Sequence, residues 1–358
     1  NTFSYTYDIS APTINDIVNA DMEWGAILNA AEDNNDKDVT ITTSGVENGQ
    51  TVTVGLNNAT YTALVSNNVA TVTITAAGLQ ALTDGTYTLT ADVSDEAGNA
   101  AQQKSITFTV DKTAPEIESV TAANGTYKIG DTLTIEVLFN ENVTIDVGDG
   151  APSLVMSNTE NADYSSITNI GNKTLVTFTY EVGLNDSNVA AADNLRVLRW
   201  LRNGSTVTDT AGNTNFDDNT GDVVFDSAYV LNNNIVIDAD KPSMTITAVD
   251  SENEAIETDG STETNDQTLT VTFNTGKSTT TFEEGDIGVS NGSIVENSFA
   301  GSGTTYTANI SAGSEGEVTV TVNASVYTDA AGNSNEGVSS LSWTFDETDP
   351  TVTISSDH

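Results

Sequence analysis

The chain has 358 residues, 52 of them acidic against 10 basic, for a formal net charge of −42, and it contains no cysteine. That balance excludes nucleic acid as a partner, because binding it depends on neutralising phosphate with Lys and Arg, and it disfavours an anionic membrane surface for the same reason. Disulfide staples, thiolate metal sites and cysteine nucleophiles are excluded outright, and the single histidine, His358, removes Ser-His-Asp chemistry and His-ligated metals.

Hydrophobic residues make up 37 % of the chain and alternate regularly with polar ones, which predicts folded strands rather than disorder. In chain order, strand periodicity appears at Gln50 to Leu56, Val69 to Ile74 and Thr86 to Val93, then at Leu133 to Phe139 and Thr174 to Tyr180. It returns at Leu269 to Phe273, Val318 to Val322 and Leu341 to Phe345. Val, Ile, Thr, Tyr and Phe fill these runs, and Gly, Asn and Asp separate them. Only Ala76 to Leu82 and Met22 to Ala31 read as short helices. The expectation is an all-β chain of antiparallel sandwiches with about seven strands per unit. No apolar run reaches the length of a membrane span.

Asp-x-Ala-Gly-Asn occurs three times, at Asp95 to Asn99, Asp209 to Asn213 and Asp329 to Asn333. Each copy precedes a strand and then an acidic, proline-ended junction: Asp111 to Pro115, Asp238 to Pro242 and Asp346 to Pro350. A motif and a junction recurring together every ~110 to 125 residues indicate a tandem array. The predicted domains are 1–111, 112–239 and 240–347, and 348–358 reads as the start of a further repeat or a tail, as in a segment of a longer polypeptide. The middle domain is the longest, with an acidic stretch from Phe216 to Asp226. The linkers lack any Ser/Gly or Pro/Thr tract, so neighbours are expected nearly in contact, as an elongated rod on the order of 100–120 Å long.

Val39 to Val54 and Ala81 to Asn99 resemble the bacterial Ig-like repeats of large cell-surface adhesins and biofilm proteins. Thr281 to Gly292, Gly303 to Ala308 and Tyr327 to Asn333 resemble another branch of these modules, and Gly130 to Thr144 a related type. The resemblance implies tandem Ig-like sandwiches, a secreted or cell-surface setting, no enzymatic activity, and an extender role commonly rigidified by calcium between domains. The expected partners are neighbouring Ig-like domains of the same polypeptide, with cell-surface glycans or other copies of the chain as further candidates.

In an Ig-like sandwich the loop before the last strand lies at the pole where the chain enters. Geometry then sets Asp209 and Asn213 against the junction at Asp111, and Asp329 and Asn333 against Asp238 and Asp240. Asp95 and Asn99 face the region of Asp8, and Asp346 and Asp349 begin the next junction. Glu32 to Asp38 is the candidate loop from the preceding domain. These hard oxygens suit Ca2+ with its six to eight ligands. Taken alone, however, Asp, Gly and Asn are also what a tight turn demands.

Asp217, Asp218, Asp222 and Asp226 form a second acidic group. Arg196, Leu198, Trp200 and Arg202, on one face of a strand, admit a carbohydrate-binding reading of the middle domain. An alternative is a self-assembling S-layer or filament subunit that exchanges its terminal strand, Asn1 to Tyr7.

Overall fold

A computed structural model describes residues 7–148, 150–190, 192–214, 222–231, 234–257 and 260–355, with 222–228 described by their backbone. Asn1 to Thr6 of the proposed exchange strand lie outside these residues, as do Asp217 and Asp218 of the second acidic group.

Strand periodicity converts directly into burial. In Thr132–Phe139 the residues Leu133, Ile135, Val137 and Phe139 are fully buried and Glu136 between them is exposed. Because side chains alternate across the pleat, each such strand offers one apolar face, and two faces must meet to exclude water. They do so in three separate hydrophobic cores, spanning Ile14 to Val110, Val120 to Ala239 and Met244 to Phe345. Aromatic residues anchor them: Trp24 against Phe108, Trp200 against Phe139 and Phe178, and Trp343 fully buried in the third.

The first core lies between a three-stranded and a five-stranded sheet, the third between two four-stranded sheets, and the second against a seven-stranded sheet accompanied by two short ribbons. These are tandem Ig-like sandwiches. One topological feature recurs in all three: a short early strand runs parallel to the final strand. Ile27–Leu28 pairs with Thr109 and Val110, Gly125–Lys128 with Ile235–Asp238, and Glu263–Thr264 with Thr344 and Phe345. Parallel pairing carries the end of the early strand to the same pole from which the chain leaves the domain. That placement builds the joints.

Two sequence expectations are corrected. Met22 to Ala31 is not helical: Gly25 sits at φ +76 and Ile27–Leu28 is claimed by parallel pairing. The other helix holds as Ala76–Gln80, capped by the Thr75 side chain. In the middle domain Asp222–Val230 is an edge strand of the seven-stranded sheet, so a strand intervenes between the motif and the final strand. No helix among the described residues is long and apolar enough to cross a membrane.

Candidate metal centre at a domain joint

The three Asp-x-Ala-Gly-Asn segments fold into one and the same loop. The asparagine amide donates to Oδ1 of the aspartate four residues earlier, at 2.7, 2.8 and 2.9 Å in chain order. The asparagine Nδ2 donates to Oδ2 of that aspartate at 2.8, 2.8 and 3.2 Å. The glycine adopts φ of +90, +92 and +94, a region where a Cβ is strained. Asp95, Asp209 and Asp329 are buried, and these bonds satisfy charges that burial would otherwise penalise.

The linkers are equally uniform. Oδ1 of the junction aspartate accepts from the amide two residues on: Ser10 to Asp8 at 2.9 Å, Thr113 to Asp111 at 3.3 Å, Asp240 to Asp238 at 3.3 Å and Thr348 to Asp346 at 2.8 Å. At Asp8, Asp111 and Asp238 the Asx turn fixes the backbone that the following motif grips. The motif asparagine donates through Nδ2 to the linker carbonyl, to Asp8 at 3.2 Å, Asp111 at 2.9 Å and Asp238 at 3.0 Å.

The preceding domain supplies the other wall of each joint through the loop after its parallel strand. At the first joint Ala30 donates its amide to Asn213 Oδ1 at 3.0 Å, and Asn29 Nδ2 donates to the carbonyl of Ala211 at 2.8 Å. At the second, Ile129 donates its amide to Asn333 Oδ1 at 3.0 Å. Of the expected loop Glu32 to Asp38, Asp33 instead pairs with Lys112 at 2.7 Å.

Asp111, Glu141 and Asp209 converge at the first joint, each presenting a carboxylate oxygen within 4.8 Å of the others. Glu141 escaped the sequence reading, although it lies two residues past the end of the strand Thr132–Phe139. Asp111 titrates above the ordinary aspartate range because burial and then the charge of Asp209 disfavour its anion. Burial, followed by the charges of Asp209 and Asp111, raises Glu141 in the same way. Lys112, beside Asp111 in sequence, turns away and donates to the carbonyls of Leu79 and Leu82 at 3.0 and 2.8 Å. The donor set is therefore three hard oxygens of like charge, which suits a calcium ion completed by water.

The remaining sequence candidates are distributed differently. The Asn213 amide is committed to Ala30, Asp111 and Asp209. Asp238, Asp240 and Asp329 surround the ammonium of Lys277, which lies 2.5 Å from Asp238 Oδ1, 2.7 Å from the Asp240 carbonyl and 3.3 Å from Asp329 Oδ2. Asn99, itself held by Asp95, grips the Asp8 linker, and Asp346 and Asp349 are exposed.

Trp200 does not share a face with Arg196. A register shift between Val197 and Arg199 rotates the strand, so Trp200 is fully buried while Arg196 remains exposed. The Trp200 ring, packed on Phe139 and Phe178, offers no platform to a sugar.

One bacterial Ig-like domain family model matches residues 19–112 and a second, distinct bacterial Ig-like domain model matches 238–345, together more than half of the chain. Among solved structures the chain is similar to a Ca2+-stabilized adhesin with which an Antarctic bacterium reaches out and binds ice. There the identity is 19 % over 93 % of this chain and 72 % of that one, with a TM-score of 0.42. It is also similar to a 1.5-MDa bacterial ice-binding adhesin, at 16 % identity over 95 % of this chain and 100 % of that one, with a TM-score of 0.41. A bacterial immunoglobulin-like domain from the M. primoryensis ice-binding adhesin is 30 % identical over 28 % of this chain and 95 % of its own length, with a TM-score of 0.20. No curated protein matches the chain.

Proposed function

Because the chain belongs to the bacterial Ig-like domain family, we propose that it is a structural, non-catalytic extender segment of a bacterial surface adhesin, with its first joint stiffened by calcium between Asp111, Glu141 and Asp209. The observation that carries this reading is the convergence of those three carboxylates, from linker, strand-end loop and motif loop, at the boundary of two sandwiches.

When bound there, calcium supplies the positive charge that the three carboxylates lack. Asp111 belongs to the linker leaving the first domain, whereas Glu141 and Asp209 belong to the second. Drawing them together fixes the angle between the two bodies, and leaving them to repel one another loosens it. Asn213 holds the backbone of the same linker through Asp111 and reaches the preceding domain at Ala30, so the carboxylates are presented on a frame already in register. Affinity in the range of extracellular modules, about 10⁻⁴ to 10⁻³ M, suffices in millimolar calcium. A cell-surface location and an assembly of neighbouring domains along one polypeptide belong to the same reading.

Small-angle scattering on the full chain tests it. Adding a chelator is expected to shorten the maximum dimension and blur the shape while circular dichroism stays unchanged; an identical maximum dimension with and without calcium overturns it. In titration calorimetry, Asp111→Asn combined with Glu141→Gln is expected to weaken calcium binding by about tenfold or more, equivalent to at least ~1.4 kcal/mol.

A further inference from the structure

We propose that Lys277 supplies to the second joint, as a built-in ammonium, the positive charge that the first joint takes from a divalent cation. On this assignment the two joints of one chain differ in their need for metal. The contrast rests on the calcium reading of the first joint; the lysine assignment rests on the second joint's own geometry.

The two joints are built on the same plan. The motif asparagine grips the linker carbonyl in both, Asn213 at Asp111 and Asn333 at Asp238, and accepts from the preceding domain in both, at Ala30 and Ile129. A buried motif carboxylate faces a junction carboxylate in each: Asp209 faces Asp111, and Asp329 faces Asp238. They differ at one place. After the strand that ends in the buried Phe139, the first joint receives Asn140 and then Glu141. The equivalent strand, Thr268–Thr279, runs on past the buried Phe273 but loses register after Asn274, and there the second joint receives Thr275, Gly276 and then Lys277. The two phenylalanines hold corresponding places, each paired with an isoleucine of its domain's first strand, Ile117 and Ile246.

The two added residues form an irregularity within that strand, and it delivers the lysine. Thr275 is fully buried, and its hydroxyl donates to the carbonyl of Lys277 at 2.8 Å. Gly276 adopts φ +67 against Ser243, where an added Cβ would lie 2.7 Å from the Ser243 hydroxyl, so only glycine fits. The ammonium then meets Asp238, Asp329 and the Asp240 carbonyl. An ammonium has three donors, and these three acceptors use them all.

The charge balance follows. The carboxylates of the first cluster sum to −3, whereas Asp238 and Asp329 with Lys277 sum to −1. A divalent cation entering the second joint would have to displace a cation already hydrogen-bonded there, and the site does not fit it. Low calcium should therefore bend the chain at its first joint and leave the second set.

The chain's lack of cysteine makes distance measurement direct. Spin labels at the exposed pair Thr62→Cys and Ser166→Cys span the first joint, and those at Ser166→Cys and Thr305→Cys span the second. In the full chain under chelation, the narrow distance peak is expected to be lost across the first joint and kept across the second. Lys277→Ala should lose the second peak, with Lys277→Met retaining the apolar stem as the folding control and giving the same loss. Lys277→Glu should restore the second peak only in calcium, and Glu141→Lys should hold the first peak in chelator. Loss of the second peak in the unaltered chain on chelation overturns the proposal, as does a peak that persists in Lys277→Ala and Lys277→Met. If calcium leaves the first joint unchanged while Lys277→Ala loosens the second, the calcium reading fails and the lysine assignment stands.

Discussion

Asn213 Nδ2 lies 2.9 Å from the main-chain carbonyl of Asp111, so a side chain of the second domain holds the backbone by which the first domain ends. The same side chain accepts from Ala30 and donates to Asp209, which makes one buried amide the hinge pin between two sandwiches and their acidic cluster. Asn333 repeats this at Asp238 and Ile129.

Truncating the pin exposes its worth. Asn213→Ala leaves a buried carboxylate oxygen, a linker carbonyl and an amide without their partner. Unmade bonds of this kind cost about 1–3 kcal/mol, and the thermal transition of the second domain should fall accordingly. Asn99→Ala removes the matching bonds within the first domain, to Asp95 and Asp8. It should lower stability while leaving the distance across the first joint unchanged, whereas Asn213→Ala should change both. Calorimetry and label distances on the same variants check this.

The pH response of the metal-free chain follows from Asp111 and Glu141. Burial, and then neighbouring carboxylate charge, raises both above their ordinary values. A carboxyl with a raised folded pKa binds more protons in the folded state than in the unfolded chain, so stability increases as pH falls through the window between the folded and the ordinary value. Below the ordinary value both states are protonated and no further gain accrues. In calcium-free buffer the transition of the first two domains should therefore rise on acidification from neutrality toward the ordinary carboxylate range. Calcium should reverse the trend, because protons then compete with it. A metal-free transition that falls steadily over that interval contradicts the assignment.

The motif glycines separate turn chemistry from joint chemistry. Gly98, Gly212 and Gly332 all lie near φ +90, so alanine at any of them is strained by about 1 kcal/mol or more. A Cβ at Gly98 meets nothing within 4 Å, and one at Gly332 lies 3.2 Å from the flexible Lys128 stem. At Gly212 it lies 3.3 Å from Asn29 Nδ2, the atom that bonds Ala211 across the joint. Gly212→Ala should therefore be the costliest of the three and the one that widens the first-joint distance, as thermal unfolding and label distances will report.

Trp200→Ala and Trp343→Ala should each destabilise their own domain by about 3–5 kcal/mol, since both rings are fully buried in separate cores. Neither should alter glycan-array binding except through unfolding. Loss of a glycan signal in Trp200→Ala at full stability would revive the carbohydrate reading that the buried ring opposes.

Much of this was legible in the sequence because it is local or periodic. Two-residue alternation gives the strands and the all-β sandwich. The bonds within each Asp-x-Ala-Gly-Asn loop join residues four apart, so their identities alone decide the turn, and the three copies agree closely. The facing of Asp209 and Asn213 toward Asp111 also follows from loop order in a sandwich. Where tertiary structure overrode local preference, prediction failed: a parallel partner claimed Ile27 and Leu28 from a helix, and a register shift turned Trp200 inward.

The composition of the joints is of another kind. Glu141, just past a strand end, and Lys277, at an irregularity within a strand, are distant in sequence from the aspartates they meet, and neither carries a mark of its own in the primary structure. Only the folded chain brings a third carboxylate to one joint and an ammonium to the other. The sequence by itself determined the repeating parts, because turns and strands are set by neighbouring residues. Tertiary structure alone decided the charge at each joint, because charges sum over whatever the fold places within a few ångströms.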